Sequence, residues 1–144
     1  MKLFFTALQK LLLGTMMLRY SRHDRFEKQL SKLLKKYRTL EEDLKIAEKA
    51  AIELLHLHNI DNNSTELIPG FDKEKIQIFK IKKFACKSLK GKGVRSGIRI
   101  IYAFRPELME ITYLEIYYKA KSNSDMDYDF IKRYVAEQEK LNEI

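Results

Sequence analysis

The chain has 144 residues, 45% of them hydrophobic and 33% charged, with 28 Lys and Arg against 20 Asp and Glu, a net charge of +8. That length and mixed charge suit one domain with a real core and exclude a disordered polyelectrolyte. Its single cysteine, Cys86, excludes an intrachain disulfide and fits a reducing, cytoplasmic setting.

The first 16 residues, MKLFFTALQKLLLGTM, carry an apolar stretch interrupted by Gln9 and Lys10. It is too short and too polar to span a membrane, and no small-x-small cleavage site follows it clearly. Two readings stand ahead of export: a short amphipathic helix packed on the domain, or a start site displaced upstream of Met16 or Met17. Residues 17–144 are taken as the domain.

Residues 18–21 read as a short first strand. His23 and Asp24 precede a helix in which Phe26, Leu30, Leu33, Leu34 and Tyr37 recur at helical spacing, with Lys28, Lys32, Lys35 and Lys36 on the other face. Thr39 and Glu42 have the spacing of a capping box, opening a second helix with Leu40, Leu44, Ala47, Ala51 and Leu54 along its stripe. Almost no loop separates the two, which predicts an antiparallel helical hairpin. A long loop then carries Leu67, Ile68 and Phe71, expected to dock on the core.

Residues 76–84 alternate as a strand, with Ile76 and Ile78 facing one way and Phe79 and Ile81 the other. Gly91, Gly93 and Gly97 punctuate a loop before a strand over 97–104. There Ile98, Ile100, Tyr102 and Phe104 share one face, and Arg99, Ile101 and Ala103 the other. After the Arg105-Pro106-Glu107 turn, the last strand covers 110–119, with Leu114, Ile116 and Tyr118 expected opposite Tyr113, Glu115 and Tyr117. A closing helix begins at Asp125, with Phe130, Tyr134 and Leu141 along one side. The predicted class is α+β: a helical hairpin on one face of a small, mostly antiparallel sheet, the other face open to Arg99, and a closing helix.

The charge is not evenly spread. Between Ile76 and Arg99 stand eight basic residues (Lys80, Lys82, Lys83, Lys87, Lys90, Lys92, Arg95, Arg99) and no acidic one. Without those eight, the remaining 20 basic residues match the 20 acidic ones. A solvated loop usually mixes signs, so the segment points to a polyanion partner such as nucleic acid, bound with counterion release. An arginine inside an apolar strand, Arg99, also requires a partner. Tyr113 and Tyr117 are candidate base-stacking platforms, whereas Tyr102 and Tyr118 share faces with Ile and Leu and read as core. His56 and His58 sit two apart on a helix and point apart, so no metal site is expected. Cys86 reads as a small buried thiol.

Three stretches carry a family resemblance: F-E-K-Q-L-S-K-L-L-K-K-Y (26–37) followed by T-L-E-E-D-L; K-F-A-C-K-S-L-K-G-K-G-V-R-S-G-I-R-I-I-Y-A-F (83–104); and I-Y-Y-K (116–119). Together they resemble, in order, the opening helices, central strands and last strand of the RelE/ParE toxin superfamily, over about residues 17–134. The resemblance implies the toxin of a type II toxin–antitoxin system with a cognate antitoxin protein as partner. In its RelE-like branch it implies a metal-free, cofactor-free endoribonuclease acting on mRNA in the ribosomal A site. The ParE-like branch implies a non-catalytic gyrase inhibitor, and a tamed member would bind antitoxin or nucleic acid without toxicity.

By position, Arg99 matches the strand arginine that contacts the scissile phosphate. Lys87, Lys90 and Arg95 fall near basic positions that bind RNA or act as base, and Lys119 or Lys121 near a second cation. Tyr128 lies within one residue of a tyrosine at the start of the closing helix. The catalytic set implied is Arg99, Lys87, Lys119, Lys121 and Tyr128. Lys80, Lys82, Lys90, Lys92, Arg95, Tyr113 and Tyr117 are expected to hold RNA. The chain departs from relatives with a C-terminal catalytic histidine, having none after His58, and carries Lys after the last strand where RelE has Arg.

Overall fold

The computed structural model describes residues 17–71, 74–119 and 125–142. The expectations for residues 1–16 and for Lys121 lie outside them. The elements in chain order are β1 (Arg19–Arg22), α1 (Asp24–Leu34), α2 (Leu40–Ala47), a π-helical stretch (Glu48–Glu53) continuing into α3 (Leu54–His56), β2 (Thr65–Leu67), β3 (Gln77–Ile81), β4 (Ile98–Arg105), β5 (Glu110–Tyr118) and α4 (Tyr128–Asn142). The strands form one sheet in the order β1-β5-β4-β3-β2. β1 runs parallel to β5, and every other neighbouring pair is antiparallel.

Helices cover both sheet faces. On the first, Phe26 and Leu30 of α1 and Leu40 and Leu44 of α2 pack on Ile100 and Tyr102 of β4. Burial of such aliphatic and aromatic side chains, each worth about 1.5–3 kcal/mol, supplies the main attraction between helix and sheet. On the second face Ile131, Tyr134 and Val135 of α4 pack on Ile101, Ala103 and Leu114. The face expected to be open is therefore closed over much of its area. The cover stops short of Arg99, which is half-exposed. On α4 the buried stripe is Ile131, Tyr134 and Val135, while Leu141, expected on it, is 64% exposed.

The π-helical turns explain a second difference. The hydrogen-bonded repeat there spans five residues, so Glu48 and Glu53 come round to one side; in an α-helix they would lie about 140° apart. Glu53 accepts from the Tyr20 hydroxyl at 3.0 Å and Glu48 from the Tyr113 hydroxyl at 2.7 Å. The same shift turns Ile52 fully inward, a residue outside the 3.6-residue stripe.

A third difference lies in β5. The β4–β5 register slips between Ile101, opposite Glu115, and Tyr102, opposite Tyr113, leaving Leu114 as the extra residue of a bulge. The bulge reverses the alternation upstream of it. Tyr113 joins Ile116 and Tyr118 on the first face, and Leu114 turns to the second. Finally, Thr39 precedes α2 without a side-chain cap. Its hydroxyl donates instead to Asp43 at 2.8 Å, and Glu42 reaches away to Lys87. The expected capping box is replaced by a tie between α2 and the loop after β3.

Candidate nucleic-acid interface

Arg99 stands on β4 opposite Tyr117 of β5. Its Nη1 lies 3.3 Å from the Ile98 carbonyl, and no carboxylate among the described residues pairs with it. Its guanidinium is thus a half-buried positive charge whose remaining donors are unclaimed by an anion. Burial raises the cost of leaving such a charge without an anion.

Tyr117 is half-buried, and its hydroxyl lies 3.1 Å from Asp125 Oδ1. Burial first, and then the Asp125 carboxylate, push the phenol above its ordinary range, so it is a hydrogen-bond donor at neutral pH. Lys80 Nζ reaches the same Asp125 oxygen at 3.0 Å, its side chain only 15% exposed. The Met126 backbone N–H completes the set at 2.8 Å. That N–H and Lys80 hold the Asp125 carboxyl below the usual range. Lys119 is exposed beside this group, its N–H bonded to the Gly97 carbonyl at 2.9 Å, two residues before Arg99. Lys82 comes one residue past the Ile81–Ile100 pair, the step at which Arg99 falls on β4. Arg99, Tyr117 and Lys80 therefore share one end of the second face, with Lys82 and Lys119 one residue past the ends of β3 and β5.

The other candidates are placed elsewhere. Lys87 sits on a turn fastened to α2: its N–H lies 3.2 Å from an Asp43 oxygen and its Nζ 2.7 Å from Glu42. Glu42 draws the lysine's pKa upward. Lys90, Lys92 and Arg95 are exposed along the loop, where Gly91 and Gly93 have φ of +80° and +55°. The buried Ser96 hydroxyl donates to the Phe84 carbonyl and accepts from Ile98 N–H at 3.2 Å, pinning both ends of that loop. Tyr128 packs on the loop after β2, its ring 5.7 Å from that of Phe71 and its hydroxyl 3.4 Å from the Pro69 carbonyl.

Tyr113 is a correction. It is fully buried, its ring 5.0 Å from that of Phe26, and its hydroxyl belongs to Glu48. It cannot stack on a base; the bulge at Leu114 is the reason.

Three groups were not anticipated. Asp125 was expected only to begin the closing helix. Glu115, 2% exposed, accepts from Arg25 Nε at 3.1 Å and from Asp127 N–H at 3.0 Å, fastening the start of α4 near Arg99. A lone glutamate in the apolar run L-E-I carried the same signal as Arg99, since it too needs a partner. His56 is half-buried against Phe104, with Nε2 2.8 Å from the Tyr102 hydroxyl, and burial lowers its pKa to about 4.

Among the described residues, no group of three or more His, Cys, Asp or Glu could hold a metal ion, and no helix is long and apolar enough to cross a membrane.

No family model matches the chain, and no curated protein matches it. Among solved structures, it is similar to a chain in the crystal structure of the archaeal RelE–RelB complex from Pyrococcus horikoshii OT3. The two are 17% identical, with a TM-score of 0.44 over 74% of this chain and 100% of that one. A likeness this distant assigns neither fold nor function.

Proposed function

We propose that this chain is a RelE-like toxin of a type II toxin–antitoxin system, a metal-free endoribonuclease that cuts mRNA in the ribosomal A site. The observation that carries the reading is Arg99: a half-buried guanidinium without a carboxylate partner among the described residues, on the strand that the family resemblance marks. In the reaction, the 2′-oxygen bonds to the adjacent phosphorus and the bond to the 5′-oxygen breaks. A cyclic phosphate and a free 5′-hydroxyl result; one proton leaves the 2′-hydroxyl and one reaches the departing oxygen. Arg99 stabilises the charge gathering on the phosphoryl oxygens. Lys80, Lys82, Lys90, Lys92, Arg95 and Tyr117 hold the RNA strand, with Lys119 and Lys121 as further cations and Tyr128 at the start of the closing helix. The helical hairpin of α1 and α2 belongs to the same reading. An acidic segment of the cognate antitoxin would cover residues 80–99, with affinity falling as salt rises.

Primer extension on mRNA after pulsed expression tests this. Cuts within translated messages that vanish in Arg99→Ala support it; intact messages with both proteins remove it. Trapped DNA breaks with intact mRNA would instead assign the gyrase-directed role.

A second reading, binding without cleavage, is favoured by one observation. Lys87 Nζ is paired with Glu42 of α2 at 2.7 Å and does not join the Lys80–Tyr117–Asp125 group. Growth unaffected by expression, together with retained RNA binding, would select it.

A further inference from the structure

We propose that Asp125 is an internal substitute for a phosphate: its carboxylate occupies an oxyanion cradle made by Lys80, Tyr117 and the Met126 N–H, and an RNA phosphate binds by displacing it. The ligand class rests on the nucleic-acid reading above; the cradle does not.

One oxygen, Oδ1, takes all three donors, at 3.0 Å from Lys80, 3.1 Å from Tyr117 and 2.8 Å from Met126 N. Such convergence of a cation, a hydroxyl and a backbone N–H on a single point is how proteins hold oxyanions. The two sides of the contact differ in how firmly they are held. The Lys80 side chain is 15% exposed, whereas that of Asp125 is 67% exposed. Lys80 also lies in β3, hydrogen-bonded between β2 and β4, and Tyr117 in β5 beside β4. Lys80 and Tyr117 belong to the sheet, whereas the carboxylate and the neighbouring Met126 N–H belong to the segment before α4, and the carboxylate is the part free to leave.

Capping does not require Asp125. The helix-start bond of α4 comes from Asp127, whose Oδ1 accepts from Phe130 N–H at 3.1 Å. Asp127 is further held by Arg25 at 3.0 Å. Releasing Asp125 therefore leaves the start of α4 anchored.

An RNA phosphodiester carries the same single charge as the carboxylate, but its two non-bridging oxygens are splayed on a tetrahedral phosphorus. One can take Lys80 and Tyr117 while the other turns toward Arg99, which stands opposite Tyr117 and has no carboxylate partner among the described residues. In the resting protein the carboxylate lowers the affinity of the basic face for stray polyanions, because each phosphate must first displace it.

The test is fluorescence anisotropy with a labelled 2′-O-methyl RNA oligonucleotide, which binds but cannot be cut. It compares wild type, Asp125→Asn, Lys80→Ala, the double variant, and Asp129→Asn as a control of equal charge change. Asp125→Asn is expected to tighten binding by about 3–10-fold at low salt and to steepen the log–log salt slope by about one. Asp129→Asn should give a smaller gain, and Lys80→Ala should abolish the gain from Asp125→Asn. Unchanged or weaker binding by Asp125→Asn overturns the proposal, as does an equal gain with Lys80 removed or from Asp129→Asn. Primer extension on the same variants separates the two ideas. Tighter binding with no cutting by any protein sinks the nuclease reading and keeps the cradle. Cutting by wild type with no effect of Asp125→Asn on binding does the reverse.

Discussion

Arg25 Nε lies 3.1 Å from Oε1 of Glu115, a carboxylate only 2% exposed on an otherwise apolar strand. The same guanidinium meets Asp127 at 3.0 Å, so one arginine links α1, β5 and the start of α4. Burial pushes the Glu115 carboxyl above its ordinary pKa, and Arg25 offsets part of that. Removing the arginine strands a buried charge, whereas removing both leaves none. Arg25→Ala should cost about 1–3 kcal/mol in urea denaturation at pH 7, reduced by the solvent that reaches the arginine. Arg25→Ala with Glu115→Gln should recover part of the loss. Equal stability of Arg25→Ala and wild type would show that the pair contributes nothing.

His56 predicts an acid limit. Its folded pKa, about 4, lies below the ordinary 6.5 because burial disfavours the imidazolium. The unfolded chain therefore binds the proton more readily, and stability falls as the pH drops from about 6.5 to about 4. The histidine's share of that loss is a few kcal/mol at most, on the order of 3, from a shift of this size. His56→Gln, which retains a group able to meet the Tyr102 hydroxyl, should flatten the curve in that window. Parallel pH profiles for the two proteins would exclude the histidine as the cause.

In the proposed nuclease, the geometry of the Arg99 cation matters as well as its charge. Arg99→Ala should lower cleavage by about 10²–10³-fold, the usual cost of losing one donor to a developing oxyanion. Arg99→Lys keeps the charge and loses the two-pronged contact, so it should restore only part of the activity. Single-turnover cleavage on ribosome complexes measures both. Full activity in the lysine variant would mean that charge alone suffices.

Gly70 has a φ of +101°, and a Cβ there would lie 2.7 Å from the Tyr128 hydroxyl. Two penalties coincide, a backbone conformation unfavourable to L side chains and a steric overlap. Gly70→Ala should cost about 1–2 kcal/mol, read as a lower Tm. In a Tyr128→Phe background the overlap disappears and the backbone term remains, so the cost should shrink without vanishing.

Where a pattern of two or 3.6 residues persisted, side-chain direction could be read directly. Ile76 and Ile78 oppose Phe79 and Ile81, and Arg99, Ile101 and Ala103 oppose Ile100 and Tyr102, as alternation predicts. Arg99 itself was legible because a charge in an apolar strand is costly. Two features broke the period without leaving a mark. Around Leu114 both candidate faces are apolar, so a one-residue slip changes no local polarity, yet it buries Tyr113. The turns at residues 48–53 have ordinary helix-forming composition, and their widening follows from tertiary contacts with Tyr20 and Tyr113. An amphipathic helix such as α4 declares that it has an apolar side, not which sheet face will receive it. The three-residue β2 is too short to show any period. Asp125 was invisible for another reason: its partners lie 45 residues before it and 8 residues before it, and no local pattern encodes such a meeting.

The parallel pairing of β1 with β5 joins Arg19 to Glu110. β1 is at the sheet edge, and β5 is its neighbour there. During translation, about 90 residues must therefore be added before β1 has a strand to pair with, roughly 5–20 s at ordinary elongation rates. Arg99 emerges within that interval, before Tyr117 exists to face it. A nascent chain thus carries its strongest cationic segment while the sheet that organises it is still missing. The sheet can close only once β5 has been made.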